Sequence, residues 1–301
     1  MRTNLTTWAP LAGKWKFAGP TATYLGPEDP SLPYGMALSP LRLRSGSIST
    51  RVSFNKTEES AGRVLFGYNS ANGAYFSGGL GGHREAYVLD EYVPGRGWKA
   101  LRALGSNQNL SPQVPYELEV ELRGQSVRLL VNTIKVLEEH LPYPPMGDQI
   151  GLFAWGTSEV KFEDAAGEGV KPRAFVVMQF SEPYNSLYSE VIKPVAESMG
   201  LEAYRADDVY KPGIILQDII RGILEAEVVI AEITPVNANV FYELGYAHAL
   251  DKPTILLAEG RSELPFDIRS YRCIFYDNTI RGKTGVETNL KQHLKNILEG
   301  A

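Results

Sequence analysis

A single glutamate stands in an otherwise apolar helical segment, Asn-Val-Phe-Tyr-Glu-Leu-Gly-Tyr-Ala-His-Ala-Leu, at residues 239–250. At about 100° per residue, Glu243 falls on the helix surface between Leu250 and Ala247, so its carboxylate is expected to be buried. A buried carboxylate is costly unless it is paired, protonated or used in chemistry. Glu243 is therefore the leading candidate for a catalytic residue, and a structural glutamate that caps a neighbouring loop is the alternative.

The segments around Glu243 predict an open α/β sheet. Five short apolar runs alternate with four helical patterns, which is typical of a Rossmann-like (flavodoxin-like), doubly wound parallel sheet. Strands are predicted at residues 174–180, 201–205, 228–233, 254–258 and 272–276, and helices at 186–199, 214–225, 239–250 and 286–298. Pro194 should kink the first helix or mark its start. Such sheets bind ligands at the carboxyl ends of their strands, where the Glu243 helix begins.

The segments AFVVMQF, AEVVIAEIT and NANVFYELGYAHAL resemble the nucleoside 2-deoxyribosyltransferase-like group, which is akin to the Toll/interleukin-1-receptor-like (TIR-like) nucleotide-binding domains. The resemblance covers residues 172–301. In the transferases a helix glutamate attacks the sugar anomeric carbon, and in TIR-like glycohydrolases a glutamate serves the same step on NAD; Glu243 matches that residue. The transferases carry an Asp six residues earlier, where this chain has Asn237, which cannot shuttle a proton. The resemblance thus implies glycosidic cleavage or nucleotide binding rather than base exchange.

Seven further residues are predicted to bind the substrate around Glu243. Asn237, Asn239 and Tyr242 would donate hydrogen bonds that orient the carboxylate, which must be ionised to stabilise or attack a ribosyl cation. Glu232 and Asp208 would accept hydrogen bonds from ribose hydroxyls. Gln179 and Phe180 would line the pocket for the base. The alternative for each is ordinary structural chemistry: Asn in turns, Asp at helix caps and Phe in a core.

The first half of the chain has a different period. Ile48, Thr50, Val52 and Phe54 alternate with polar residues, as do Leu118, Val120 and Leu122, and turn signals separate these runs. This pattern predicts an antiparallel β-sandwich over residues 1–166, followed by a linker at 167–172 and the α/β domain at 173–301. Trp8 to Phe17 and the late segment at 149–154 resemble concanavalin-like (laminin-G-type) jelly rolls.

Two kinds of site are considered on the sandwich. Glu117, Glu119 and Glu121 share one face, roughly 6.8 Å apart, within the separation used in glycoside hydrolysis. They alternate with Leu and Val as in a half-solvated strand and lack flanking aromatic platforms, which disfavours a glycosidase. Binding of a sugar or a nucleotide is considered through five aromatic residues: Tyr75, Tyr87, Tyr92, Trp98 and Trp155. A sensor or oligomerisation module is the alternative role of this domain.

Composition excludes several classes of protein. The 301 residues include 30 Lys and Arg against 35 Asp and Glu, for a net charge of −5, and no basic face invites nucleic acid. No apolar run reaches the 18 residues of a membrane span. Residues 1–20 lack the order of a signal peptide. Cys273 is the single cysteine and the four histidines are scattered, so neither disulfides nor a metal site are expected.

The sequence therefore predicts a cytoplasmic, two-domain protein that cleaves the N-glycosidic bond of a nucleotide, nucleoside or NAD with Glu243. No cofactor is expected, because NAD or a nucleotide would be the substrate. The family resemblance implies a homo-oligomer whose assembly the sandwich could control after sensing a ligand. The alternative function is a non-catalytic nucleotide-binding or signalling module coupled to a ligand-sensing sandwich.

Overall fold

A computed structural model describes residues 2–208, 215–260, 268 and 271–299. The chain divides into two compact units. The first comprises Met1–Leu122, Ser126–Leu141 and Pro145–Val170, and the second comprises Arg123–Gln125, Pro142–Pro144 and Lys171–Ala301. Among the described residues, no helix combines the length and the apolar character that crossing a membrane requires.

The first unit consists of two antiparallel sheets, which confirms the predicted β-sandwich. Its strands are β1 (Arg2–Asn4), β2 (Ala9–Ala12), β3 (Lys14–Ala18), β4 (Thr21–Gly26), β5 (Tyr34–Arg42), β6 (Gly46–Phe54), β7 (Ala61–Tyr68), β8 (Tyr75–Gly81), β9 (Glu85–Val93), β10 (Gly97–Ser106), β11 (Tyr116–Arg123), β12 (Ser126–Val131), β13 (Ile134–His140), β14 (Gln149–Trp155) and β15 (Val160–Gly169). The eight-stranded sheet has the order β13-β12-β11-β6-β15-β4-β3, with β1 paired to β15. The seven-stranded sheet has the order β10-β9-β8-β7-β14-β5-β2.

Strand alternation gives the seven-stranded sheet two different faces. A Cβ atom on Gly62 in β7 would lie 3.0 Å from Val160 and 3.3 Å from Phe54, both in the other sheet, so Gly62 faces the interior of the sandwich. Because successive residues of a strand point to opposite faces, Arg63 lies on the outer face. Gly62 thereby allows the two sheets to approach closely, while its neighbour belongs to the surface where we place the candidate site.

A bulge in β7 changes the direction of one aromatic side chain. Leu65 pairs with Gly151 and Tyr68 pairs with Gln149, so three steps along β7 oppose two steps along β14. Gly67 takes up the extra residue with a φ of 64°, a conformation that favours glycine. Tyr68 consequently packs on the same face as Leu65, although simple alternation would place them on opposite faces.

The second unit is a parallel sheet with helices. Its strands are β16 (Arg173–Val177), β17 (Glu202–Arg205), β18 (Val228–Glu232), β19 (Thr254–Glu259) and β20 (Cys273–Tyr276), and its helices are α1 (Tyr184–Leu187), α2 (Lys193–Ser198), α3 (Ile215–Glu225), α4 (Ala238–Ala249) and α5 (Ile280–Glu299). The strand order is β17-β16-β18-β19-β20, and each described pairing is parallel. One core packs α1, α2 and α5 against the sheet. A second core does the same for α3 and α4.

Some element boundaries differ from those predicted. The first strand of the second unit, β16, ends at Val177 rather than at residue 180. A π-helical turn, Tyr188–Ile192, joins α1 to α2 through continuous helical backbone, and Pro194, which lacks the N–H of a normal helical residue, follows two residues after that turn ends. In the sandwich, β15 continues to Gly169, so the segment between it and β16 is shorter than the predicted linker at 167–172. The domain limits themselves stay a prediction.

Two helical glycines of the second unit provide a matched test of its packing. A Cβ atom on Gly222 in α3 would lie 2.7 Å from the ring of buried Phe175, whereas one on Gly245 in α4 would meet no described atom within 4 Å. We expect Gly245→Ala to raise the free energy of unfolding by about 0.5–1 kcal/mol through helix propensity. Gly222→Ala should lower it by about 1–3 kcal/mol, because the ring has to move. Urea denaturation measures both, and equal effects would contradict the packing of α3 on β16.

Candidate functional site

Glu243 lies in the second turn of α4 and is half-buried. Burial raises the pKa of its carboxyl to about 7, without any charged or hydrogen-bonding partner that would lower it. Among the described residues, the Glu243 side chain has no hydrogen bond or ion pair. The carboxyl is therefore about half protonated near neutral pH and has no donor to hold its charge, whereas stabilising a ribosyl cation requires an ionised group held by donors.

The donors predicted around Glu243 have other roles. Asn237 is the N-cap of α4, and its side-chain oxygen accepts a hydrogen bond of 2.9 Å from the backbone N–H of Asn239. Asn239 is exposed, and Tyr242 keeps 56% of its surface exposed. No described contact joins any of the three to Glu243. The helix cap therefore accounts for the described contact of Asn237.

Glu232 ends β18 at the carboxyl edge of the parallel sheet and is 1% exposed. One carboxyl oxygen accepts a 2.9 Å hydrogen bond from the backbone N–H of Thr234, and the other, Oε2, is buried without a hydrogen-bond partner among the described residues. Burial raises the pKa of Glu232 to about 8, because desolvation outweighs the hydrogen bonding at Thr234. Glu232 is thus mainly protonated at neutral pH, and its role as an acceptor for a ligand stays a prediction.

The remaining predicted residues lie near the ends of β16 and β17. Gln179 donates a 2.8 Å hydrogen bond to the hydroxyl of Ser181. Phe180 is 49% exposed, and the Arg205 guanidinium lies 5.0 Å from its ring centroid. Asp208 closes a short 3-10 turn, and its side chain lies outside the described residues. The described contacts therefore do not bring the predicted substrate-binding side chains together around Glu243.

The outer face of the seven-stranded sheet, by contrast, collects aromatic side chains into a cluster that we call the aromatic face. Its buried members are Met36, Leu38, Leu65, Tyr75 and Phe153, and half-buried Ala12, Tyr34, Tyr68, Tyr92, Trp98 and Trp155 pack on them. Four of the five aromatic residues predicted to bind a ligand are present. Tyr87 is the exception: it pairs with Leu80, and alternation along β9 directs it to the opposite face from Tyr92.

Trp98 is the centre of the aromatic face. Its ring centroid lies 4.7 Å from that of Tyr92, 5.3 Å from that of Tyr34 and 5.5 Å from that of Trp155, the last two in edge-on geometry. Its indole N–H donates a 3.2 Å hydrogen bond to the hydroxyl of Tyr75. Edge-on and tilted contacts of this kind are favourable for aromatic rings and hold them in defined positions. The exposed surfaces of Trp98 and its neighbours are thereby preorganised.

A buried ion pair lies beside these rings. Arg63 in β7 and Asp90 in β9 are each 2% exposed, and Arg63 Nη1 donates to Asp90 Oδ2. Arg63 also donates through Nε and Nη2 to the carbonyl of Gly81, at 3.2 Å and 2.6 Å. Strand β8 separates the two charged residues, and its small residues Ser77 and Gly79 stand opposite Asp90 and Arg63. This leaves room for the pair to meet above β8.

The loop between β8 and β9 places His83 over this pair. His83 Nε2 lies 3.1 Å from Asp90 Oδ2 and, because an ionised carboxylate only accepts, Nε2 is the donor. Gly82, His83 and Arg84 have φ values of 96°, 51° and 64°. A Cβ atom on Gly82 would collide with the Arg63 guanidinium, so only glycine fits there. Left-handed residues other than glycine cost energy and concentrate at functional sites.

These elements enclose a cavity of about 200 Å³. Its lining consists of Arg63, Gly82, His83, Asp90, Trp98, Phe153 and Trp155. The floor carries charged hydrogen-bonding groups, the walls carry flat apolar rings, and the imidazole of His83, with 44% of its side chain exposed, lies at the rim. A ligand with both polar hydroxyls and an apolar ring face matches this combination.

Sequence reasoning identified Trp98 and Trp155 of this cavity but missed Phe153, Arg63, His83 and Asp90. A detectable signal existed, because Arg63 and Asp90 interrupt the apolar runs AGRVLFGY and AYVLDEYV. A charge inside a buried strand requires a partner, so two such interruptions in neighbouring strands suggest a pair. His83 lies in a glycine-rich turn, and only the folded loop shows that it contacts Asp90.

The three glutamates of β11 lie in the other sheet. Glu117 and Glu119 help to line a cavity of about 400 Å³ together with Arg51, Asp164 and other polar residues. Glu117 pairs with Arg51 across the strands, and Arg51 forms an ion pair with Asp164. This surface is a half-solvated, mixed-charge strand face, as the sequence pattern indicated, and no aromatic residue is part of the described lining.

No protein-family model matches the sequence, and no curated protein matches it. Solved structures do match. A carbohydrate-binding module from Bacillus subtilis is 13% identical and matches over 55% of this chain and 97% of its own, with a TM-score of 0.46. A lichenase, a prokaryotic β-1,3-1,4-glucanase from a mouse hindgut metagenome, is 10% identical over 56% of this chain and 99% of its own, with a TM-score of 0.42. A galectin from Caenorhabditis elegans is 13% identical over 48% and 95%, with a TM-score of 0.35.

The predicted N-glycosidase activity of Glu243 is wrong. Among the matched structures named here, a carbohydrate-binding module, a lichenase and a galectin, none is a nucleoside deoxyribosyltransferase or a TIR-like protein. The surroundings of Glu243 supply the physical reason, since its carboxyl lacks the donors that would keep it ionised. At identities of 10–14%, the matches concern the fold of the sandwich and do not identify a ligand of this chain.

The raised pKa of Glu243 predicts a pH-dependent effect of Glu243→Gln. The folded-state pKa of about 7 exceeds the usual glutamate value of 4.5, so the destabilisation by ionisation is absent below about pH 4.5, develops between pH 4.5 and 7 and is complete above pH 7. We expect Glu243→Gln to raise the free energy of unfolding at pH 8 by about 1–2 kcal/mol, allowing for partial exposure, and to change it little at pH 4. Denaturation at both pH values measures this, and a loss of stability at pH 8 would show that the carboxylate is ionised and stabilising.

Because Arg63 and Asp90 form a buried pair, we expect substitutions at the two positions to have strongly non-additive effects on the free energy of unfolding. Asp90→Leu alone should lower the free energy of unfolding by about 3–5 kcal/mol, because it leaves a buried guanidinium without its counter-charge. The double variant Arg63→Met with Asp90→Leu should recover most of this loss, since apolar residues of similar volume tolerate burial. Urea denaturation of the wild type, both single variants and the double variant measures the coupling. Additive effects would mean that the two charges do not interact.

Proposed function

We propose that the sandwich is a carbohydrate-binding module whose ligand occupies the cavity between His83, Trp98 and Trp155, and that the chain is a non-catalytic ligand sensor. The observation that carries this proposal is the buried Arg63–Asp90 pair at the floor of an aromatic-walled cavity. A buried charge pair contributes little net stability by itself, so its presence in a surface cavity is best explained by ligand recognition.

The chemistry of the cavity suits a sugar ring. The flat walls of Trp98 and Trp155 can pack on the apolar C–H face of a pyranose, which removes apolar surface from water. Sugar hydroxyls donate and accept hydrogen bonds, and those to charged groups such as Arg63 and Asp90 are stronger than neutral ones. The cavity of about 200 Å³ is smaller than the roughly 300–1,000 Å³ of sites for drug-sized ligands. It therefore suits one sugar unit.

Binding without cleavage follows from the number of carboxylates. Glycoside hydrolysis uses two carboxyl groups on either side of the scissile bond. Asp90 is the one carboxylate among the described lining residues, and Arg63 and His83 both bond to it. Glu117 and Glu119 belong to the other sheet. The cavity thus has the groups for recognition but lacks a second carboxyl group for hydrolysis.

For the second unit we propose a doubly wound, flavodoxin-like fold that carries the output of the sensor. Support comes from the strand order, because β17 lies on one side of β16 whereas β18, β19 and β20 follow on its other side. The two cores that hold helices against the sheet are further support. The homo-oligomer, the cytoplasmic location and the lack of a cofactor stay predictions from the sequence.

Removal of one wall of the cavity tests the proposed function. Trp155→Ala should lower the affinity for a bound sugar by about tenfold or more, equivalent to about 1.4 kcal/mol of lost ring packing. Trp8→Ala is the matched control, because Trp8 is also half-buried but stacks on Phe17 away from the cavity. Isothermal titration against a panel of neutral mono- and oligosaccharides measures the affinities, and circular dichroism verifies that both variants fold.

Two outcomes would contradict the proposal. A wild-type protein that binds none of the sugars would exclude the carbohydrate-binding function. An equal loss of affinity in Trp155→Ala and Trp8→Ala would place the ligand elsewhere on the sandwich. Release of shorter sugars from the ligand, detected by chromatography, would contradict the non-catalytic part alone.

A further inference from the structure

We propose that the site extends beyond the cavity along a row of aromatic rings and accommodates a chain of several sugar units rather than a single sugar. This inference rests on the proposed function, because it concerns the ligand of the same site. The row is formed by Trp98, Tyr92, Tyr75 and Tyr68, and these four residues belong to the neighbouring strands β10, β9, β8 and β7 in that order. The row therefore crosses four adjacent strands of one sheet.

The centroids of successive rings in the row are less than 7 Å apart. The centroid separations are 4.7 Å from Trp98 to Tyr92, 5.0 Å from Tyr92 to Tyr75 and 6.5 Å from Tyr75 to Tyr68. Strand register produces this arrangement, because Trp98 pairs with Tyr92 and Tyr92 pairs with Tyr75. Cross-strand neighbours on one face lie close enough for their side chains to touch. A chain of sugar rings would thus meet the half-exposed rings of Trp98, Tyr92 and Tyr68, with buried Tyr75 beneath them.

The members of the row differ in what they offer to a ligand. Tyr75 is 3% exposed, and its hydroxyl accepts the hydrogen bond from Trp98, so it supports the row from below. Trp98, Tyr92 and Tyr68 keep part of their surfaces exposed. A single sugar in the cavity would contact Trp98, which belongs to the described lining, but Tyr92 and Tyr68 do not belong to it. Their half-exposed rings, which both pack on Tyr75, mark a binding surface that continues past the cavity.

The bulge in β7 is a second observation that supports an extended binding site. Without the extra residue at Gly67, strand alternation would direct Tyr68 into the sandwich interior. The left-handed Gly67 instead re-aims Tyr68 onto the aromatic face, where it becomes the last ring of the row. Bulges that re-aim a side chain are common next to binding and active sites. The backbone of β7 is therefore shaped to add a ring at the end of the row farthest from Trp98.

Chain length is the variable that tests this inference. The probes are neutral oligosaccharides of one linkage type, from one to six sugar units, titrated calorimetrically against the full chain. For the wild type we expect the affinity to rise by about two- to tenfold for each additional aromatic contact and then to level off. Tyr68→Ala should abolish the increase for the longest probes and leave the affinity for the single sugar unchanged. Trp155→Ala should lower the affinity for every probe.

Tyr68→Phe is the matched control, since it keeps the ring and removes the hydroxyl, and it should behave as the wild type. Thermal unfolding of each variant shows whether the fold persists, and Tyr68→Leu replaces Tyr68→Ala if the smaller residue unfolds the sheet. An affinity for the single sugar that equals that for the hexamer would overturn the extended site and leave the proposed function intact. A parallel loss for short and long probes in Tyr68→Ala would also overturn it. A wild type that binds no probe would refute both.

Discussion

The ion pair between Arg63 and Asp90 is the interaction on which the candidate site of the sandwich depends. Two charged side chains that are each 2% exposed are tolerated only when they are paired. The pair therefore restricts which residues can surround it. It requires small residues on β8 between the two strands, a glycine at position 82 and a carbonyl at Gly81 that accepts from the guanidinium. His83 obtains its position from the same carboxylate, because its ring donates to Asp90.

The two units handle a buried ionisable group in different ways. In the sandwich, Asp90 forms an ion pair with Arg63, and the two side chains make the polar floor of the cavity. In the parallel sheet, desolvation that no cation offsets raises the pKa values of Glu232 to about 8 and of Glu243 to about 7. Both outcomes avoid an isolated charge in an apolar surrounding. The consequences for function differ, because a paired carboxylate can recognise hydroxyl groups, whereas a protonated one cannot stabilise a cation.

The aromatic face shows how a surface for a ligand is assembled from distant segments. Tyr34, Tyr68, Trp98 and Trp155 come from four different strands, and Trp98 joins them through ring contacts and through its hydrogen bond to Tyr75. Two left-handed segments adjust the edges of this surface: Gly67 directs Tyr68 onto it, and the loop at 82–84 directs His83 over Asp90. The sheet supplies a rigid base, and local backbone conformations place the residues at its margins.

The sequence by itself determined the two classes of architecture. The alternation of Val120 and Leu122 with Glu119 and Glu121 has the period of a half-solvated strand, and the pattern from Ile219 to Leu224 has the period of an amphipathic helix, because burial of one face imposes each period locally. Four rings of the candidate site were also recognisable, since exposed aromatic residues in a sandwich suggest ligand contact. The burial of Glu243 and the cap at Asn237 follow from the same local patterns.

Tertiary structure alone decided which residues act together. Arg63 and Asp90 are 27 positions apart, and their pairing follows from strand register rather than from any local pattern. Tertiary structure likewise decided that Tyr68 shares a face with Leu65, and that Glu243 lacks donors, because those outcomes depend on a bulge and on the directions of side chains from separate elements.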